Sequence, residues 1–381
     1  MKLHGRIKTT LRGKPRILRL RRSESSLEDT HDALLVHGQV EDRPHRHRHL
    51  VLVDTSDRWP ELVSPEMTVL TRHFDYLNDG DIIRVNPTAQ AINVLYRRSS
   101  AHNSLLVTER CNSNCLMCSQ PPKPDNDGYI VDELLEAIPL MSPDTAEIGI
   151  TGGEPTLLGG RLVELLGALR MHLPTTGLHV LTNGRQFRDT RYVRMISHLE
   201  HPDLMFGIPL YSDLPADHDF VVQARGAFDE TIRGFLNLAR HRVLVELRVV
   251  IHAQTYRRLP QLGRFIARNL PFVNHVALMG LEMMGHVKMN LDALWVDPVD
   301  YQAELCECVH HLDLAGLNVS VYNHQLCTLD RSLWPFARKS ISDWKNVYLP
   351  CCEPCNAQSE CGGFFASALL RYSDHIHPFT A

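Results

Sequence analysis

From Ser104 to Leu281 this 381-residue chain alternates between two patterns. Six short runs rich in Leu, Ile and Val fall at 104–109, 146–151, 178–182, 204–210, 244–251 and 275–281. Between them apolar residues recur at three and four: Val131, Leu134, Leu135, Ile138; Leu162, Leu165, Leu166, Leu169; Ile232, Phe235, Leu236, Ala239; Leu259, Leu262, Phe265, Ile266. Strand–helix alternation predicts a parallel sheet with right-handed crossovers. Six such units predict an α/β fold, a partial (β/α)6 barrel open on one side. One more amphipathic helix is expected over 298–312, from Tyr301, Leu305, Val309 and Leu312.

Residues 1–100 differ. They are rich in Arg and His and carry short apolar stretches, Ala33–Val36, Leu50–Val53, Ile82–Val85 and Ile92–Tyr96, with Asp79-Gly-Asp81 as a hairpin signal. A small β-rich domain is expected there, a barrel over 101–315, and a cysteine-rich extension over 316–381. The alternating Pro44-His-Arg-His-Arg-His49 reads as a solvated edge strand, because each His has a cation beside it; a metal site is the alternative.

Ten cysteines include two groups, Cys111–Cys118 and Cys351–Cys361. Distant clusters in a long chain suit metal ligation in a reducing cytosol better than a disulfide framework, so a cytoplasmic location is expected. The net charge of -4 offers no attraction to nucleic acid or membrane. No apolar run reaches a bilayer-spanning length. The basic N-terminus lacks a secretory core, and an organellar transit peptide is the alternative.

In parallel α/β sheets ligands gather at the carboxyl ends of strands, and the chemically suggestive residues sit there. The first strand delivers Cys111-x3-Cys115-x2-Cys118. Three thiols so spaced can hold three corners of an iron–sulfur cube and leave one iron open. A structural zinc site with a remote fourth ligand is the alternative. The second strand ends in Gly152-Gly153-Glu154-Pro155, where glycines admit close approach and Glu154 can accept from an ammonium group; a plain glycine turn is the alternative. Asn183 and Gly184 end the third strand. Ser212 and Asp213 end the fourth, as ribose-hydroxyl partners or as helix caps. On the fifth, Glu246 and Arg248 share one side and can pair, while Arg248 also suits a substrate carboxylate. Gly280 ends the sixth, with Glu282 close behind. His218-Asp219 is read as structural, and no Ser-His-Asp triad is expected.

Together these motifs resemble the radical S-adenosylmethionine (SAM) superfamily. The resemblance implies a [4Fe–4S] cluster on Cys111, Cys115 and Cys118 whose open iron chelates SAM. It places Gly152, Gly153 and Glu154 at the SAM ammonium, Ser212 near the ribose and Arg248 near the carboxylate. Asn183 and Gly280 join the nucleoside surroundings. Met117 stands where the superfamily usually has an aromatic residue, so a thioether or a backbone contact replaces ring stacking on adenine.

The stretches TERCNSNCLMCSQPP, TGGEPTLLG, LTNGR, FGIPLYSD, ALMGLEMMG and ARKSISDWKNVYL resemble, more narrowly, the radical SAM maturase of the His-Xaa-Ser system. That implies post-translational modification of a protein bearing His-Xaa-Ser repeats, a second radical SAM protein, a small accessory protein and an electron donor. Alternatives are radical chemistry on a small metabolite or tRNA, and a non-catalytic zinc-binding protein. Cys352-x2-Cys355-x5-Cys361 resembles part of the auxiliary-cluster extension of peptide-modifying members. Phe365 replaces a further cysteine of that pattern, which leaves one auxiliary [4Fe–4S] cluster, with Cys327 as fourth ligand and Cys351 as its alternative. Zinc suits the same thiolates. Cys308 is assigned to packing and Cys306 to no role.

Overall fold

The computed structural model describes residues 3–38, 49–54, 66–340 and 346–380. Residues 44–48 of the His/Arg segment and 341–345 of the ARKSISDWKNVYL stretch lie outside them. The chain divides into two compact units, Met1–Val107 with Gly128–Gly149 and Glu164–Gly177, and Thr108–Asp127 with Ile150–Val163 and Leu178–Ala381.

The first unit holds an eight-stranded sheet made of β1 (His4–Arg6), β2 (Lys8–Thr9), β3 (Arg16–Arg21), β4 (Asp32–His37), β5 (Leu50–Asp54), β6 (Met67–Thr71), β7 (Ile82–Asn86) and β8 (Ala91–Tyr96). Its order is β1-β8-β7-β3-β4-β5-β6-β2. The two edge strands are separated in the chain only by the buried Ile7, so the sheet curls until its edges meet. Pairs from β3 through β6 are parallel. Ala33 and Leu35 of β4 face one apolar cluster and Leu34 and Val36 another, so this part is covered on both faces.

Four strands here escape the hydrophobic pattern. In β3 (RILRLR) arginines interrupt the apolar run, yet Arg19 and Arg21 both reach the buried carboxylate of Asp32, at 2.7 and 3.2 Å. Asp79-Gly-Asp81 leads into β7, as its spacing predicts, but it closes no hairpin, since β6 and β7 are not neighbours; Gly80, at φ 81°, donates its N–H to Leu20 O.

The second sheet has the order β16-β15-β14-β13-β12-β11-β10-β9. Its strands are β9 (His102–Thr108), β10 (Glu147–Gly152), β11 (Gly177–Leu181), β12 (Leu204–Pro209), β13 (Leu244–Ile251), β14 (His275–Gly280), β15 (Val319–Tyr322) and β16 (Ala337–Arg338). The pairs from β11 to β16 are parallel. The helices between strands are α1 (Tyr129–Ala137), α2 (Gly160–His172), α3 (Thr190–Ser197), α4 (Pro215–Val222), α5 (Ala227–Arg240), α6 (Leu259–Asn269), α7 (Leu291–Leu294) and α8 (Gln302–Leu314). The expected six units are present as an α/β parallel sheet of partial-barrel type. Two short strands after residue 315 extend it to eight, so the cysteine-rich region begins within the sheet. Short strands with a single crossover give little periodic signal, which is why β15 and β16 were not expected.

Cys308 of α8 is fully buried against Gly263 of α6, where a Cβ would lie 3.0 Å from its sulfur. Packing is therefore its role. Among the described residues no helix is long and apolar enough to cross a membrane.

Candidate functional site

At the tip of β9 the chain leaves the sheet and enters the loop that carries Cys111, Cys115 and Cys118. Asp127 fixes its start, accepting from Thr108 Oγ1 at 2.7 Å, Glu109 N–H at 2.5 Å and Arg110 Nε at 3.0 Å. Farther along, Asn114 and Leu116 donate their N–H groups to Val222 and Val221 carbonyls at the end of α4. The 285–290 segment clamps the other side. His286 N–H donates to Cys118 O at 2.8 Å, its Nδ1 lies 3.2 Å from Cys115 O, and Asn290 Nδ2 donates to Leu116 O at 2.9 Å. All but the two side-chain bonds of Asp127 end on loop backbone, and none uses a thiol, so the fold fixes the loop's path without them.

Gly152 and Gly153 pack against this same loop. A Cβ on Gly152 would meet Thr108 O at 2.3 Å, and one on Gly153 would meet Arg110 O at 2.2 Å. Gly153 and Glu154 donate their N–H groups to those two carbonyls, at 2.8 and 2.7 Å. The glycines thus let β10 press on the root of the cysteine loop. Glu154 is fully buried. Its carboxylate accepts from the N–H and hydroxyl of Thr156, from Thr182 Oγ1 at 2.6 Å and from Asn183 N–H at 2.6 Å. Burial pushes its pKa up, against those four donors. Its side chain ties the tip of β10 to the tip of β11 and caps the 3-10 turn at Pro155–Leu158.

Asn183 extends the ties. Its Nδ2 donates to Asn112 Oδ1 at 2.6 Å, while Arg185 Nη1 reaches Asn112 O at 2.6 Å. Glu230 of α5 holds Arg185 from behind at 2.6 Å. Gly184, at φ 76°, makes the exit turn and would collide with Ile208 if it had a Cβ.

Ser212 Oγ accepts from Leu214 N–H at 3.1 Å in a local turn that precedes α4 without capping it, and Asp213 pairs with Arg258 at 2.6 Å. Arg248 pairs with Glu246 as period two allows, and its other Nη lies 3.2 Å from Met279 Sδ. Glu246 also accepts from His275 Nδ1 at 2.8 Å and faces His179 Nε2 at 3.4 Å. Burial alone raises its pKa, but His179, His275 and Arg248 outweigh it and hold the carboxyl well below the usual range. Gly207 of β12 lies beneath this network; a Cβ there would touch both His179 and Arg248.

Gly280 lies against β15, its carbonyl accepting from Asn323 Nδ2 at 3.2 Å. Met117 is buried in an apolar cluster with Tyr211, Val221, Met283 and Val287. His218 accepts from Tyr211 N–H and packs on that ring, while Asp219 accepts from Gly226 and Phe228 N–H groups at the start of α5. Both members of this pair are structural.

The thiols fit an iron–sulfur group by their chemistry. Burial, with neighbouring negative charge added, pushes Cys111 up to about 11 and Cys115 up to about 12, and burial also raises Cys118. A bound metal cation would offset that burial and favour the thiolates. Among the described residues no three His, Cys, Asp or Glu side chains are grouped to hold a single metal ion.

In the C-terminal region, Cys327, Cys352, Cys355 and Cys361 line one pocket, and Cys351 is exposed outside that lining. Backbone N–H groups point at two of the sulfurs. Leu326 and Gly363 donate to Cys361 Sγ at 3.5 Å, and Phe379 donates to Cys355 Sγ at 3.4 Å. Donors of this kind stabilise thiolate. Cys306 lies on α8, 3.9 Å from Ser332 Oγ.

Asp127, Arg185, His286 and Asn290 were not anticipated. Each acts on loop backbone or on neighbouring polar side chains, and only the stretch ALMGLEMMG just before His286 hinted at that segment.

Residues 105–266 match the family model of the radical SAM superfamily. No curated protein matches the chain. Among solved structures, SuiB of Streptococcus suis bound to S-adenosylmethionine is 16% identical over 67% of this chain and 56% of its own, with a TM-score of 0.49. A radical SAM methyltransferase from Sphaerobacter thermophilus is 13% identical, covering 63% and 72%, at 0.45. A domain of pyruvate-formate lyase-activating enzyme from Bacteroides vulgatus is 14% identical, covering 46% and 98%, at 0.36. The chain thus spans little more than half of SuiB's length.

Proposed function

We propose that this chain is a radical SAM enzyme that modifies a peptide or protein, with a His-Xaa-Ser repeat protein as its substrate. The observation that carries the reading is the thiol loop of Cys111, Cys115 and Cys118, held by neighbouring strand tips within the segment that matches the superfamily. Cys111, Cys115 and Cys118 would hold a [4Fe–4S] cluster, which, once reduced by an electron donor, would supply the one-electron chemistry for reductive cleavage of SAM and for hydrogen abstraction from the substrate.

The chain's own residues bind, orient and exclude water. Arg185, His286 and Asn290 hold the loop backbone, and Asn183 holds the Asn112 side chain on the same loop. Arg248, steadied by Glu246, keeps guanidinium N–H groups for the SAM carboxylate. Gly152 and Gly153 offer backbone to the ammonium, and Ser212 and Gly280 belong to the nucleoside side. Glu154 acts through the strand tips it ties together. Cys327, Cys352, Cys355 and Cys361 would hold an auxiliary [4Fe–4S] cluster; a zinc ion, the alternative occupant, would need these thiols drawn closer together, since none of the described residues are grouped for a single metal ion. The expected partners are a second radical SAM protein, a small accessory protein and an electron donor, in the cytoplasm.

Anaerobically reconstituted protein, given SAM and a strong reductant, should release 5′-deoxyadenosine. Co-expression with a His-Xaa-Ser repeat protein should change that protein's mass. No 5′-deoxyadenosine would remove the reaction class; an unchanged mass would remove the substrate.

A further inference from the structure

A shallow cleft begins at the carboxyl ends of two strands and ends at the second cysteine pocket. Ile251 and Gly280, the last residues of β13 and β14, line it at one end. Gln325, Gly363 and Phe364 line both the cleft and the cysteine pocket. Among the described residues lining the cleft, Arg371 is the only charged one.

We propose that this cleft holds the substrate as an extended peptide and that Arg371 grips a carboxylate on it. The proposal rests on the peptide-modifying reading above and adds where the peptide lies and what it must carry. Arg371 is pre-set for the task. Its guanidinium lies on the ring of Trp295, 4.1 Å from the centroid, which fixes its plane and leaves the edge N–H groups to bond sideways. Asp292 is 3.4 Å away, but its side chain is fully exposed. An exposed pair of that kind is weak, and Arg371, whose own side chain is 43% exposed, can exchange it for a carboxylate carried by the peptide. A planar fork takes a carboxylate through two parallel bonds.

The remaining polar groups suit a peptide backbone. Asn323 and Gln325 each use an amide N–H on a main-chain carbonyl, Gly280 O at 3.2 Å and Gly363 O at 2.7 Å. Those bonds fix both side chains and leave each an oxygen that can accept a peptide N–H. A cleft that runs from two strand ends to the second cysteine pocket, with two amide acceptors and one cation in its wall, matches an extended acidic peptide better than a compact metabolite.

The test uses the full chain, anaerobically reconstituted, and an equimolar library of matched hexapeptides carrying glutamate or glutamine at one position. Retained peptides are counted by mass spectrometry. Wild type should retain glutamate members about tenfold over their glutamine partners, as a charge-assisted bond predicts. Arg371→Ala should bring that ratio near one, and Arg371→Lys should keep part of it. Arg371→Gln gives the same readout if the alanine variant unfolds. Equal retention by wild type, or a preference that survives Arg371→Ala, overturns the proposal. So does free glutamate that competes as well as the acidic peptides, because it places a small acid in the cleft. Wild-type SAM cleavage, measured separately, reports on the enzyme reading alone.

Discussion

Asn183 Nδ2 donates to Asn112 Oδ1 at 2.6 Å, so the tip of β11 holds the loop between the first two cysteines. The same residue gives its backbone N–H to Glu154 at 2.6 Å. One asparagine therefore joins the end of β10 to the thiol loop. Asn183→Ala should cost about 1 kcal/mol, the usual worth of a half-buried hydrogen bond, and should loosen the loop. Urea unfolding gives the first number, and iron per chain after reconstitution reports the second. Unchanged stability together with full iron would contradict it.

Glu154 is harder to replace. Glu154→Gln keeps the size but turns an NH2 toward a donor, either Asn183 N–H or the Thr156 and Thr182 groups. A loss of about 2–3 kcal/mol is expected for a buried charged acceptor. Denaturant midpoints at neutral pH check it.

Gly153→Ala should displace the loop root, since the new methyl would stand 2.2 Å from Arg110 O. Overpacking of this kind costs about 1–3 kcal/mol, and iron loading at the first site should fall with it. Gly160→Ala, where nothing lies within 4 Å of the added methyl, is the control that should leave both unchanged.

Burial holds His49, His218, His252 and His324 at about 4, below the ordinary 6.5. The unfolded chain therefore binds more protons than the folded one between those values. Stability from these groups is complete above pH 6.5 and is lost as pH falls toward 4. His218→Asn should flatten the slope in that window by about 1.4 kcal/mol per pH unit, one proton's worth. Urea titrations at several pH values measure it, and an unaltered slope would contradict it.

Cys361→Ser should remove metal from the second pocket, whereas Cys351→Ser should leave metal content as it was, because Cys351 is exposed away from the pocket's lining. Iron and zinc counts per chain separate the two variants. Equal effects would contradict the ligand set.

The parallel sheet was legible because its strands are continuous apolar runs and its helices repeat at three and four. β13 (LVELRVVI) shows both what such reading captures and what it leaves open. Its apolar residues mark the strand, and period two pairs Glu246 with Arg248. That His179 and His275 complete the pairing depends on β11, two strands away, and on the adjacent β14, which no local spacing encodes. The glycines at 152 and 153 were visible as a motif. What fills the space beside them, the thiol loop's own backbone, was not. Likewise Cys327 shares a pocket with cysteines more than twenty residues away because the chain returns through β16, a strand of two residues with no pattern of its own.

The most direct measurement is the electron paramagnetic resonance spectrum of the reduced, anaerobically reconstituted protein with and without SAM. The account predicts a [4Fe–4S] signal that changes when SAM is added, and whose SAM-sensitive part disappears in Cys115→Ser. A spectrum indifferent to SAM, or one that Cys115→Ser leaves intact, would contradict it.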